Sequence, residues 1–122
     1  MTTITVDVWL YGPLARYGGE AARRSHANPQ VTLDAGSTVG DLLQALSMPT
    51  EERGITFING DMSAMPGLQP DLVHVLQDGD RVAFFHLKSM WPCQYRHGAG
   101  VVPEMAQAME EKGKLFSSPN NA

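Results

Sequence analysis

From Thr3 to Leu10 the chain alternates. Ile4, Val6, Val8 and Leu10 fall on one side, and Thr3, Thr5, Asp7 and Trp9 on the other. A period of two held over that length predicts a half-buried strand. Tyr11-Gly12-Pro13 ends it, and Leu14 to Tyr17 suit a short helical turn closed by Gly18-Gly19. Glu20 to Pro29 is polar and irregular and predicts a loop, whose Arg23, Arg24 and His26 read as solvated surface. Val31-Thr32-Leu33 predicts a second strand, hairpin-paired with the first. Thr38, with Asp41 three residues on, forms a capping-box pattern. Val39, Leu42, Leu43 and Leu46 then make one apolar helical stripe, stopped near Ser47 or Met48 by Pro49.

Ile55-Thr56-Phe57-Ile58 predicts a third strand, ended by Asn59-Gly60, the strongest short turn signal in the chain. Met62 to Asp71 contains Pro66, Gly67 and Pro70 and predicts a loop; a short edge strand is expected within Leu72 to Leu76. Asp78-Gly79-Asp80 turns the chain into Arg81-Val82-Ala83-Phe84-Phe85-His86-Leu87. That run is apolar and aromatic almost throughout, which predicts a central strand buried on both faces. Two strands before one helix and two or more after it favour an α+β layer, a mixed sheet with its main helix on one face.

Composition narrows the classes. The 122 residues are 43% hydrophobic, enough for one modest core and a tail. A formal net charge of -4 argues against nucleic-acid binding, which needs a basic face. One cysteine, Cys93, excludes an internal disulfide and fits a reducing compartment. The apolar runs are too short for a membrane span, and Met1-Thr2-Thr3-Ile4 lacks a signal-peptide pattern, so a cytoplasmic location is expected. No Ser-His-Asp set, phosphate loop or paired acids at a recognisable spacing appears. An enzyme in its own right is therefore the least favoured class, and no cofactor is implied.

Three motifs in order carry a resemblance. They are Gly36-Ser37-Thr38-Val39-Gly40-Asp41-Leu42-Leu43 opening the helix, Ile58-Asn59-Gly60 after the third strand, and Asp78-Gly79-Asp80-Arg81-Val82-Ala83-Phe84-Phe85 into the last. From roughly Ile4 to Leu87 the chain resembles the ubiquitin-like sulfur carriers, the small subunit of molybdopterin synthase and the thiamine-pathway carrier. The resemblance implies a ubiquitin-like β-grasp domain over residues 1–88 and an extension over 89–122. It implies a carrier in cofactor biosynthesis or sulfur transfer, with an adenylating (E1-like) activating enzyme or a cofactor-biosynthesis enzyme as partner. In that family the last strand runs into a tail ending in Gly-Gly, whose carboxylate is adenylated and converted to a thiocarboxylate. Side chains would block threading of that tail into the adenylating site, hence the glycines.

Here Phe85 is followed by His86-Leu87-Lys88-Ser89-Met90-Trp91, and the chain runs on to Ala122. Under the carrier reading a protease must cut after Gly98 or Gly100 to expose a glycyl carboxylate, in a stretch small enough to be cleavable. Under the alternative the domain is a non-catalytic interaction subunit, and its extension docks on a partner enzyme or on a second copy of the chain. Phe85, Leu87, Trp91, Tyr95, Met105 and Met109 are the partner-binding candidates. Cys93 and His97, four apart with His86 and His74 upstream, are a weak metal pattern, since a zinc signature has paired ligands at both ends. Val102 to Lys112 predicts a helix, with Pro103 at its first position and Gly113 at its stop. Met105, Ala108, Met109 and Lys112 share one of its faces, and Ser117 to Ala122 suit a disordered end.

Overall fold

The alternation at the start of the chain becomes strand β1 (Thr3–Tyr11). Val6, Val8 and Leu10 are fully buried, and Thr3, Thr5, Asp7 and Trp9 face the other way. The computed structural model describes residues 2–22, 26–88 and 100–117; for 21 and 112–117 it describes backbone alone. After β1 come a 3₁₀ segment (Gly12–Ala21), β2 (His26–Ala27), β3 (Gln30–Asp34), α1 (Val39–Leu46), β4 (Arg53–Ile58), β5 (Asp61–Ala64), β6 (Arg81–His86) and α2 (Pro103–Ser117).

The sheet is mixed, in the order β2-β1-β6-β4-β5, with β3 also on β1. β1 and β6 run parallel at its centre, and the other pairs are antiparallel. The result is an α+β layer. α1 starts where the capping box predicts: the Thr38 side chain accepts from Asp41 N–H, and the Asp41 side chain accepts from Thr38 N–H. Its Val39, Leu42 and Leu43 join Val82 and Phe84 in one core cluster. Both carboxylates hold the turn into β6, Asp80 within the turn and Asp78 across to β1. Asp78 Oδ1 accepts from Thr5 N–H at 2.8 Å, and Asp80 Oδ2 from Gln77 N–H at 2.8 Å.

Five expectations need correction. Met62 to Asp71 does not begin as a loop. Asn59 (φ 52°) and Gly60 (φ 88°) fold the chain back so tightly that Asp61–Ala64 pairs with β4 as β5. The edge strand expected in Leu72 to Leu76 is instead a 3₁₀ helix at Pro70–Val73, followed by a single bridge from Val75 to Thr38. The polar Glu20 to Pro29 stretch is not all loop, because His26 and Ala27 pair with Tyr11 and Leu10. β6 is central but not buried on both faces. Val82 and Phe84 are fully buried, whereas Ala83 and Phe85 are partly open on the opposite side of the strand; His86, on the side of Val82 and Phe84, is half-buried where the strand ends. Finally, α2 passes Gly113 and reaches Ser117. The residues expected to form a disordered end lie outside the described residues from 118 onward.

Candidate binding face

The open face of the sheet is assembled by register. Asp7 pairs with Arg81. In the next row Trp9 pairs with Ala83, and Ala83 pairs with Phe57 on the far strand. Beyond it, Tyr11 and Phe85 stack with ring centroids 4.7 Å apart. Trp9 stacks with Tyr11 at 6.2 Å and with His26 at 6.1 Å, and Phe57 meets Phe85 edge-on at 6.0 Å. These are favourable aromatic geometries. Together they form a continuous ridge from β2 across to β4. Ala83 is the one small side chain among these large rings, so the face is hollow there. A depression of about 260 Å³ opens over it, walled by Trp9, Tyr11, Phe57 and Phe85, with Gly60 and Arg81 at its rim.

The polar corner is built on Asp7. Its Oδ1 accepts from Asn28 Nδ2 at 2.7 Å and Gln30 Nε2 at 2.6 Å, and its Oδ2 from Trp9 Nε1 at 3.2 Å. Partial burial pushes the Asp7 carboxyl up, but the hydrogen bonds from Asn28, Gln30 and Trp9 outweigh it and hold the group below its ordinary value. Arg81 Nε lies 3.5 Å from Asp7 Oδ2, and its side chain is 67% exposed.

The extension returns to the opposite margin of the sheet. Met62 N–H donates to Gly100 C=O at 2.9 Å, and Val102 N–H donates to Met62 C=O at 3.0 Å. Val101 thus lies parallel against Met62 at the outer side of β5. Gly100 passes so close that a Cβ there would sit 2.6 Å from Asp61 Oδ1. Val102 is 5% exposed and Met105 is fully buried, and both belong to the core cluster. Glu104 bonds His74 Nδ1 at 2.9 Å, tying α2 to the 3₁₀ helix.

That bond holds the Glu104 carboxyl below its ordinary value of 4.5. Glu52, bonded first by the Tyr17 hydroxyl and then by Arg16, is lowered in the same direction. In each case the folded state gives up its proton more readily than the unfolded chain. Their stabilisation is therefore complete above the unfolded value and fades as pH falls through the lower folded one. Urea midpoints should accordingly be insensitive to these groups from about pH 5 upward and fall in more acidic buffer. Glu104→Gln should flatten part of that acid decline. An unchanged pH profile in the variant would remove the His74 bond from the account.

The sites expected from sequence are distributed unevenly. Phe85 lines the depression, while Leu87 and Met109 are each 44% exposed and lie outside its walls. Met105 offers no surface, because the inner face of α2 carries it into the core. Gly100 is held in main-chain pairing. Trp91, Cys93, Tyr95, His97 and Gly98 lie outside the described residues. Of the two upstream histidines, His74 is bonded to Glu104, and His86 Nδ1 accepts from Lys88 N–H. Sequence reasoning put Trp9 on the non-core side of β1 but did not gather it with Tyr11, Phe57 and Ala83, which are joined only by strand register. No family model, curated protein or solved structure matches the chain. Among the described residues no helix is long and apolar enough to cross a membrane.

Proposed function

We propose that this chain is a non-catalytic interaction subunit built on a ubiquitin-like β-grasp. The central parallel pair β1 and β6, the antiparallel strands flanking it and α1 packed on one face are compatible with that fold. The observation that carries the functional reading is the return of the extension. Val102 and Met105 are core residues, and Met62 is hydrogen-bonded on both its N–H and its C=O by the re-entering chain. A carrier of activated sulfur needs a free tail after its last strand. Here a cut after Gly98 or Gly100 would withdraw two side chains from the core and take the Val102 N–H from Met62 C=O. An uncut extension and an aromatic outer face suit a docking role instead. The resemblance in the sequence points to an adenylating enzyme, or another enzyme of cofactor biosynthesis, as the class of partner; a second copy of the chain is the other occupant to test.

The reading is tested on protein purified from its native host. Intact-mass measurement should find the extension retained beyond Gly100 and no thiocarboxylate. A photo-crosslinking residue at Phe85 should give one defined adduct, and the same residue at exposed Glu51 should not. A chain ending at Gly98 or Gly100 and carrying a thiocarboxylate would replace this reading with the sulfur-carrier one.

A further inference from the structure

The hollow over Ala83 has a size and a rim that narrow what can enter it. At about 260 Å³ it is smaller than the roughly 300–1,000 Å³ typical of small-molecule sites. It therefore suits one side chain rather than a whole cofactor. Its walls are ring faces and edges, which favour a planar aromatic guest in offset or edge-on contact. Its rim carries a cation with spare donors. The approach of Arg81 to the Asp7 carboxylate is loose, Nε to Oδ2 at 3.5 Å. Asp7 is meanwhile engaged by Asn28, Gln30 and Trp9. Among the described residues, the two terminal nitrogens of Arg81 have no hydrogen-bond partner. A guanidinium fork left in this state matches a carboxylate held beside the guest ring.

We infer that the depression receives one aromatic side chain of a partner protein, with Arg81 gripping an Asp or Glu next to it in the partner's chain. This rests on the interaction-subunit reading and specifies its contact. The recognised unit is an aromatic residue followed directly by an acidic one. The pairing is local: the net charge of -4 gives an acidic segment no long-range attraction. The ring supplies most of the affinity, and the fork supplies choice between an acidic and a neutral neighbour.

The experiment uses the isotope-labelled full chain and three blocked dipeptides, acetyl-Trp-Glu-amide, acetyl-Trp-Gln-amide and acetyl-Ala-Glu-amide. Each is titrated to roughly 5 mM, since one side chain and one ion pair give weak binding. The Trp-Glu peptide should shift the amides of Phe57, Ala83 and Phe85. The Trp-Gln peptide should bind up to about fivefold more weakly, and Arg81→Gln should erase that difference, because a rim ion pair contributes no more than this. Ala83→Leu, which fills the hollow, should abolish the shifts. Arg81 is exposed, so the Arg81→Gln result stands even if the Leu variant folds poorly. The inference is overturned if Trp-Glu produces no shifts, if the shifts map to Leu72 and Val73 instead, or if Arg81→Gln leaves the Glu-over-Gln preference intact. Should the peptide fail while the Phe85 crosslink still yields one partner, this contact is wrong and the interaction subunit survives. Should the host protein prove to be trimmed, the parent reading fails independently of the peptides.

Discussion

Replacing Asp71 with alanine should destabilise the protein by about 3–5 kcal/mol. Asp71 and Arg53 are both fully buried and joined by two bonds, Nη1 to Oδ2 at 2.8 Å and Nη2 to Oδ1 at 2.7 Å. Arg53 Nε also donates to Thr50 Oγ1 at 2.9 Å, and Ser63 Oγ donates to Asp71 Oδ2 at 2.7 Å. Among the described residues every buried side-chain polar atom has a partner. Removing the carboxylate strands a guanidinium inside the protein with its countercharge gone, and that stranding is what the large figure measures. Against a total stability of roughly 5–15 kcal/mol the loss approaches global unfolding. The double replacement Arg53→Met with Asp71→Leu should recover most of it, because a buried ion pair has little net advantage over well-packed apolar groups. Equilibrium urea denaturation near neutral pH reads both effects. A loss below about 1 kcal/mol for Asp71→Ala would mean that the pair is wetter or looser than its geometry implies.

Ending the chain at Gly100 should be at least as damaging. The cut removes Val102 and Met105 from the core together with the second bond to Met62. Met105→Ala in the full chain should alone lose about 2–5 kcal/mol, the range for a large buried side chain leaving a cavity. Met109→Ala, four residues on but 44% exposed, should stay within about 0.5 kcal/mol. The contrast separates anchoring of α2 from mere helix content. If the truncated chain melts like the parent, the core does not need its extension, and processing to a carrier becomes structurally easy again.

The sequence reveals the elements that depend on near neighbours and conceals those that depend on partners far along the chain. The alternation in β1, the Thr38 and Asp41 box and the Asn59-Gly60 turn are each written within a few residues, and each forms as read. β5 escaped because Asp61–Ala64 is short and polar at its start, and only the preceding turn makes it a strand. Arg53 and Asp71 are eighteen positions apart and look like two surface charges until β4 and the 3₁₀ helix bring them together. Met105 and Met109 sit on one helical face, and periodicity alone cannot say that the first is interior and the second is not. The hollow over Ala83 is a cross-strand property. Strand alternation says which side of β1, β4 or β6 a residue faces but not which residues lie abreast.

The strand-like return at Gly100–Val102 bears on how the protein fails. Bare sheet rims are templates for sticking to neighbours. While α2 stays docked, Met62 has both of its main-chain groups taken and that rim is sealed at this point. Once α2 lifts away, the same event uncovers an oily hole and two hungry amide groups side by side. Heat, acid or clipping should therefore convert the molecule into clumps rather than into a soluble, partly opened monomer.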